Sequence, residues 1–528
     1  MKKAVLVRIV IYGLLAIALL YVYRFKILEF INTKFYDGYN MEELTMQQKL
    51  EDFNSFYSNL EESVPFFDKI EEIYGIDFRE RYGYYEEKIK DTDNNFEFYC
   101  TLKAICRDVV SFHTDICFPL YSNVNQIHCY NSKEVVTTLG MRERINAWTK
   151  IIEEAVTDYE NVNILRVTYV DGKYVVNDLY LTDFYEQLRG YELVAIDGVD
   201  IDQYITQNIS TYNLYYDYLQ KKVYRENCVL NDQIGNRVTV LWQNEKGDQY
   251  ESDMYIDYGA EVVSSYGYLF ASEQPTYSTN GYSIKMQRDD RNQLEYIEVN
   301  DFLNADGSKL KKYIENSLYN TIVIDLRNNY GGNIEYAEKY LYPALYEKDV
   351  SQSYSWMVPN THGNRAMTKK WTVRLSYELK KDEDCYYYRT QNNYTGKAKQ
   401  EKCIYYLVGP KTGSAAETYL AMIKENNLGT IVGDTTGGEG MGASYICDYM
   451  ENSSLIYVYY PSVAYDQETL NKIYGGTTPD YYVSRTVEEF QLRQRYIAEG
   501  VAWEYEKQLE HDAVLKWVIK DMDKTINE

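Results

Sequence analysis

The sequence predicts a multidomain α/β protein, and three stretches carry that expectation. Ile404 to Gly440 reads as strand, sharp turn, helix, strand and Gly-rich loop. Thr321 to Leu326 (TIVIDL) is a second apolar run of β-formers, and it enters RNNYGGN, Arg327 to Asn333, ahead of another helical pattern. Upstream, helical periodicity from Glu42 to Val156 gives way to strand alternation from about Asn161. At ~100–200 residues per domain, the 528 residues make two to four domains.

Taken in order, the chain begins MKKAVLVRIVIYGLLAIALLYVYRFK. Lys2, Lys3 and Arg8 precede an unbroken apolar run, Ile9 to Tyr23, and no small-x-small cleavage site follows. The run becomes long enough to span once Ala4 to Val7 are included and Arg8 snorkels. Residues 1–35 are therefore expected to be an uncleaved signal anchor, a single pass of the cell membrane with the bulk of the chain extracytoplasmic. Residues 36–158 read as a helical domain. Its helices cover Glu42 to Leu60, Asn95 to Val110 and Met141 to Val156.

Residues 159–265 read as a small β-rich module. Hairpin signals stand at Asp171-Gly172 and Lys246-Gly247, and an Asp197-Gly198 turn precedes a short helix. Residues 266–490 read as the α/β core. It holds strands at Leu294 to Val299 and Thr321 to Leu326, and a helix from Ile334 stopped at Pro343. About fifty polar and aromatic residues without an assigned element follow. Residues 491–528 close the chain as helices, one of them Glu504 to Asp521.

Composition excludes some functions. A formal charge of −25 argues against nucleic acid and against anionic lipid headgroups, since both need a basic surface. The 60 tyrosines offer apolar area with a polar tip. The eight cysteines contain no CxxC pair, which argues against a zinc or redox site, so neither metal nor cofactor is expected.

Ser414 follows Gly409, Pro410 and Gly413 at the strand-to-helix turn. Such a turn exposes a hydroxyl beside a helix N-terminus, as a nucleophile requires. A plain serine N-cap is the alternative. The four histidines make bases easy to enumerate. His113 lies in a turn beside Ser111 and Thr114. His128 adjoins Cys129, His362 falls in the polar segment, and His511 sits in the charged terminal helix, where solvation is expected. The glycines of RNNYGG let backbone N–H groups approach a ligand, as in an oxyanion hole, or simply make a turn. GDTTGGEG, Gly433 to Gly440, lacks the Lys-Ser/Thr pair of a phosphate loop.

Together, DLRNNYGG, strand-GSAAE-helix, GDTTGGEG and GGTTPD resemble, in order and spacing, the C-terminal processing (tail-specific) serine peptidases. LRGYELVAIDGVDI resembles that family's PDZ-like module, LEYIEVNDF the strand opening its core, CRDVVSFHTDI the histidine segment of some members, and HDAVLKWVIKD its terminal helix. The resemblance implies a ClpP/crotonase-like catalytic core, a PDZ-like module, and peptide or protein substrates. It implies Ser414 as nucleophile, with Ala415 and either Gly331 or Gly332 as the oxyanion hole. Glu439 stands where the Ser-Lys type carries its lysine, so the Ser-His type, with His113 as base, is implied. That type's glutamate falls at Ile473. Three readings follow. Glu439 or Glu468 supplies the carboxylate from another position, Ser-His acts alone, or the chain binds peptide without cutting it.

Overall fold

The computed structural model describes residues 41–116, 139–270, 283–303, 306–364, 377–381, 383–442 and 445–527. The expected anchor, His128 and Cys129 lie outside these residues. Among the described residues no helix is long and apolar enough to cross a membrane.

The first unit is helical, as its periodicity predicts: α1 (Met46–Ser63), α2 (Phe67–Tyr74), α3 (Tyr82–Lys90), α4 (Asn95–Arg107) and, after strand β1 (Asp115–Ile116), α5 (Leu139–Asp158). Thr45 and Gln48 form a reciprocal capping box at the start of α1. Helix α4 is buried on nearly every face, which explains its apolar density. This unit does not keep a core to itself. Phe56, Leu60 and Ile105 pack in one cluster with Trp356, Ile446, Tyr457 and Val463 of the α/β region. The buried Asp52 carboxylate accepts the N–H groups of Asn452 (2.9 Å) and Ser453 (2.7 Å).

The module follows: β2 (Ile164–Val170), β3 (Lys173–Val176), β4 (Glu192–Ile196), β5 (Val199–Asp200), α6 (Ile201–Gln207), β6 (Leu214–Asp217), β7 (Lys222–Arg225), β8 (Asn227–Asn231), β9 (Asn236–Gln243), β10 (Gln249–Ile256) and α7 (Tyr258–Phe270). Asp171 and Gly172 both have positive φ, as does the pair Asp197 and Gly198, the geometry that tight hairpin turns demand. The order β3-β2-β8-β10-β9-β4, with β3 also paired to β4, closes these strands into a small barrel. The β6–β7 hairpin leaves the barrel and reaches the core, where Tyr218 stacks on Tyr482 at 5.9 Å.

The core sheet takes β11 (Ile284–Asp289), β12 (Leu294–Val299), β13 (Thr321–Asp325), β17 (Cys403–Val408), β18 (Thr430–Gly433) and β23 (Tyr481–Tyr482) in that order, parallel from β12 onward. Both faces are covered. Ile322, Ile324 and Tyr406 meet α8 (Gly307–Glu315), the helix over 334–345 (α9) and α10 (Ala415–Glu425). Val323, Tyr405 and Leu407 meet the C-terminal helices. Burial on both sides is why these strands read as unbroken apolar runs.

Three expectations are corrected. Pro343 does not stop its helix; a π turn over Ala337–Leu341 widens the coil and the helix continues through Tyr342–Leu345. The polar segment holds β14 (Val350–Pro359), β15 (Tyr377–Lys381) and β16 (Cys385–Tyr394), which form a second sheet with β21 (Val463–Tyr465) and β22 (Lys472–Ile473). Its inward residues include the amides Gln352 and Asn392, and Gln352 Nε2 donates to Thr418 O on α10 at 3.1 Å. Finally, after α11 (Val487–Ala498), the terminal helix is broken at Asp512 into α12 (Tyr505–His511) and α13 (Ala513–Asn527). The Asp512 carboxylate accepts Arg327 Nη1 at 2.8 Å and Nη2 at 2.6 Å, and Arg327 also donates to Asp325.

His511, expected in solvent, is buried at 4% exposure. Burial, with the charges of Arg493 and Arg485, pulls its pKa down to about 4. The unfolded chain, near ~6.5, binds the proton more tightly. The stability contributed by neutral His511 is therefore present above the unfolded value and is lost as pH falls from about 6.5 toward 4. His511→Gln is expected to flatten the dependence of unfolding free energy on pH in that window, and an unchanged slope would contradict the assignment. Asp52→Ala, which strands the buried N–H of Ser453 and the half-buried N–H of Asn452, is expected to cost about 1–3 kcal/mol, read from the denaturation midpoint.

Candidate active site

Strand β17 ends at Val408, and the chain turns through Gly409 to Thr412. Thr412 Oγ1 donates to Leu326 O at 2.8 Å, tying this turn to the end of β13. Ser414 then adopts φ +54°, ψ −124°, outside the conformations a serine ordinarily takes. It stands at the N-cap position of α10 yet makes no side-chain capping bond, so the plain N-cap reading is excluded. Among the described residues the Ser414 hydroxyl makes no hydrogen bond.

Two Gly-rich segments press on this serine. A Cβ on Gly331 would lie 2.6 Å from Ser414 Cβ and 2.7 Å from Ala415 N. A Cβ on Gly440 would lie 2.5 Å from Ser414 O. Ser414 N donates to Gly438 O at 3.0 Å. The two oxyanion candidates differ. Gly331 N–H is already donated to Asn329 Oδ1 at 2.8 Å. Gly332 N–H has no acceptor among the described residues, and neither has Ala415 N–H.

Glu439 lies between Gly438 and Gly440, at φ +57°. Its Oε2 is 2.7 Å from His113 Nδ1, and it also accepts the His113 backbone N–H at 3.3 Å. The contact is enclosed: the side chains are 18% and 6% exposed. The imidazole stacks on Tyr460, with ring centroids 5.2 Å apart, and on Tyr445 at 6.0 Å. Two residues past His113, β1 adds to β20 (Ile456–Tyr459) through Asp115↔Val458 and Ile116↔Tyr457, which fixes the histidine's approach. Asp115 is in turn held by Lys103 (2.8 Å) and Arg107 (2.7 Å) of α4. Burial would raise the Asp115 pKa, but those two cations keep it below the usual carboxylate range.

Glu468, the other candidate acid, is not brought to this cluster. It is exposed in the turn between β21 and β22, where its N–H donates to Asp466 Oδ1. Ile473 stands on β22, 49% exposed. Sequence reasoning missed two supporting side chains. Buried Glu417 accepts hydrogen bonds from Thr436 Oγ1 and from Thr477 Oγ1 (2.6 Å), joining GDTTGGEG to GGTTPD. Burial raises its pKa. Asn329 shapes the RNNYGG turn by also donating to Val299 O at 2.9 Å. An acid amid apolar residues in GSAAE, and an asparagine ahead of paired glycines, were the available signals.

The site thus gathers a strained serine on a strand-to-helix turn of a parallel α/β core, open backbone N–H groups beside it, and, on the adjoining loop, a carboxylate that meets a histidine from the N-terminal unit. The model of peptidase family S41 matches residues 293–483 of this chain. Among solved structures, a CPAF mutant is similar at 12% identity with a TM-score of 0.50, covering 90% of this chain and 98% of that one. At that identity the likeness shows a shared fold. A putative peptidase from Parabacteroides merdae matches at 13% identity and TM-score 0.43, over 90% and 96% of the two chains. The photosystem II D1 C-terminal processing protease matches at 12% and 0.32, over 87% and 97%. A comparison with curated proteins finds no match.

Gly331→Ala forces a carbon into the Ser414 turn and is expected to slow labelling of Ser414 by a fluorophosphonate probe about 10²-fold. Gly83→Ala, in the open on α3, should leave the rate unchanged. Equal rates in the two variants would refute the crowding argument.

Proposed function

We propose that the chain is an endopeptidase in which Ser414, His113 and Glu439 act together on a peptide bond. The 2.7 Å contact between His113 Nδ1 and Glu439 Oε2 carries this reading. An ionised Glu439 accepts Nδ1–H and leaves Nε2 as the proton acceptor, the tautomer a general base needs. Ser414 Oγ attacks the carbonyl carbon as Nε2 takes its proton. The negative charge on the carbonyl oxygen faces the N–H groups of Ala415 and Gly332. The C–N bond breaks as His113 returns the proton to the leaving amine. Water then hydrolyses the acyl-enzyme by the same proton route. The bond from Ser414 to His113 forms when substrate closes the site, since catalytic hydrogen bonds often tighten only in the complex.

The rival reading, a homologue that binds without cutting, rests on Ile473 at the family's acid position. A carboxylate arriving from Glu439 argues against it. In this proposal the barrel module, PDZ-like by sequence resemblance, receives an extended stretch of the substrate. Residues 1–35 hold the enzyme to the outer face of the cell membrane; the apolar run Ile9 to Tyr23 supports this.

Glu439→Gln is expected to lower kcat on a casein-like substrate by about 10²–10⁴-fold, and Ser414→Ala to remove turnover and probe labelling. Glu468→Gln should match the wild type. Full turnover in Glu439→Gln would eliminate Glu439 as the acid, and Ser414-independent cleavage would eliminate the mechanism.

A further inference from the structure

A crevice of about 320 Å³ lies away from the Ser414 hydroxyl, at the C-terminal ends of the parallel strands, between the barrel module and the C-terminal helices. Such ends of an open α/β sheet are where ligands commonly bind. The charges on its walls are not all used within the protein. Arg327 is saturated by Asp325 and Asp512, and Lys411 pairs with Glu226 at 2.7 Å. Arg485, by contrast, makes no hydrogen bond or ion pair among the described residues. Asp434 accepts only the N–H of its own neighbour, Thr435. Arg485 and Asp434 do not pair with each other, so the crevice holds two charges of opposite sign apart; the carboxylates near Arg485, Asp512 and Glu489, are bonded to Arg327 and Lys516. Tyr169, Tyr215 and Tyr224 also line the crevice, with Tyr169 and Tyr224 stacked at 4.0 Å.

We propose that this crevice is a second binding site, for a small peptide zwitterion whose carboxylate meets Arg485 and whose ammonium group meets Asp434, with its side chains against the tyrosines. Guanidinium and carboxylate form a strong, directional pair, and a cation over tyrosine faces gains further. The acidic wall, which also includes Asp217, disfavours a multiply charged anion such as phosphate. The electrostatics agree. Burial and the charges of Arg493 and Arg327, opposed by Asp512 and Glu489, bring the Arg485 pKa down to about 10. Burial, together with Asp217, lifts the Asp434 pKa to about 6. Neither group makes an ion pair among the described residues, and a zwitterion would offer each one. Asp434 opens the loop that carries Glu439, so an occupant would touch the same segment as the proposed active site. The inference does not depend on catalysis.

The test uses the full chain carrying Ser414→Ala, so that no probe is consumed. Alanyl-phenylalanine, its N-acetyl derivative and its C-terminal amide are titrated by calorimetry. The unblocked dipeptide is expected to bind, and each blocked form to bind at least about 10-fold more weakly, the loss of one charge-assisted contact. Added Arg485→Gln should erase the difference between acid and amide. Added Asp434→Asn should erase the difference between free and acetylated amine. Equal binding of the three probes, or no binding at millimolar concentration by folded Ser414→Ala, overturns the proposal without either crevice variant having to fold. Retained discrimination in folded Arg485→Gln also overturns it. Loss of peptidase activity in Ser414→Ala bears on the catalytic reading alone.

Discussion

Backbone crowding at Ser414 is the constraint on which the rest of the arrangement depends. Three chain segments meet there with no space for one additional carbon, as the contacts that Gly331 and Gly440 would make demonstrate. The serine takes a positive φ because the turn between β17 and α10 must pass under both loops. The strain is held by bonds on each side, from Ser414 N to Gly438 O and from Gly413 N to Asn329 O. Those bonds also set where Glu439 stands, since it lies inside the loop that grips the serine. The carboxylate is therefore delivered by the packing that shapes the Ser414 turn.

The histidine arrives from the other end of the chain, and its delivery rests on sheet pairing and charge rather than on one rigid body. Strand β1 is only two residues long, yet it adds to β20 and is anchored to α4 through Asp115. A short added strand would be weak alone. Here it is backed by an apolar core common to the N-terminal helices and the second sheet. The helical unit is in this sense part of the candidate site, although its sequence periodicity marks it off as separate.

What was legible in the sequence follows from which interactions are local. Strands β13 and β17 were plain because both faces are buried and their inner residues, Ile322 to Ile324 and Ile404 to Val408, are apolar or aromatic. The hairpin turns were plain because Asp-Gly pairs name their own backbone geometry. Strands β14 and β16 were hidden because polar amides, Gln352 and Asn392, face inward and are satisfied by partners far along the chain. The break at Asp512 was hidden for the same reason, its partner Arg327 being 185 residues away. The serine's turn could be read from its glycines. The joining of His113 to Glu439, 326 residues apart, is a tertiary fact that no spacing encodes. Nor does sequence reveal that Asn329 consumes the N–H of Gly331 and leaves Gly332 open.

The clamp at Arg327 has a consequence for how the protein is made. Synthesis runs from the N-terminus, so His113 leaves the ribosome long before Glu439 and Asp512. The histidine–carboxylate pair cannot exist until residue 439 has emerged, and the end of β13 cannot be pinned until residue 512 has. A chain not yet grown to residue 439 holds neither contact, whatever else of it has folded.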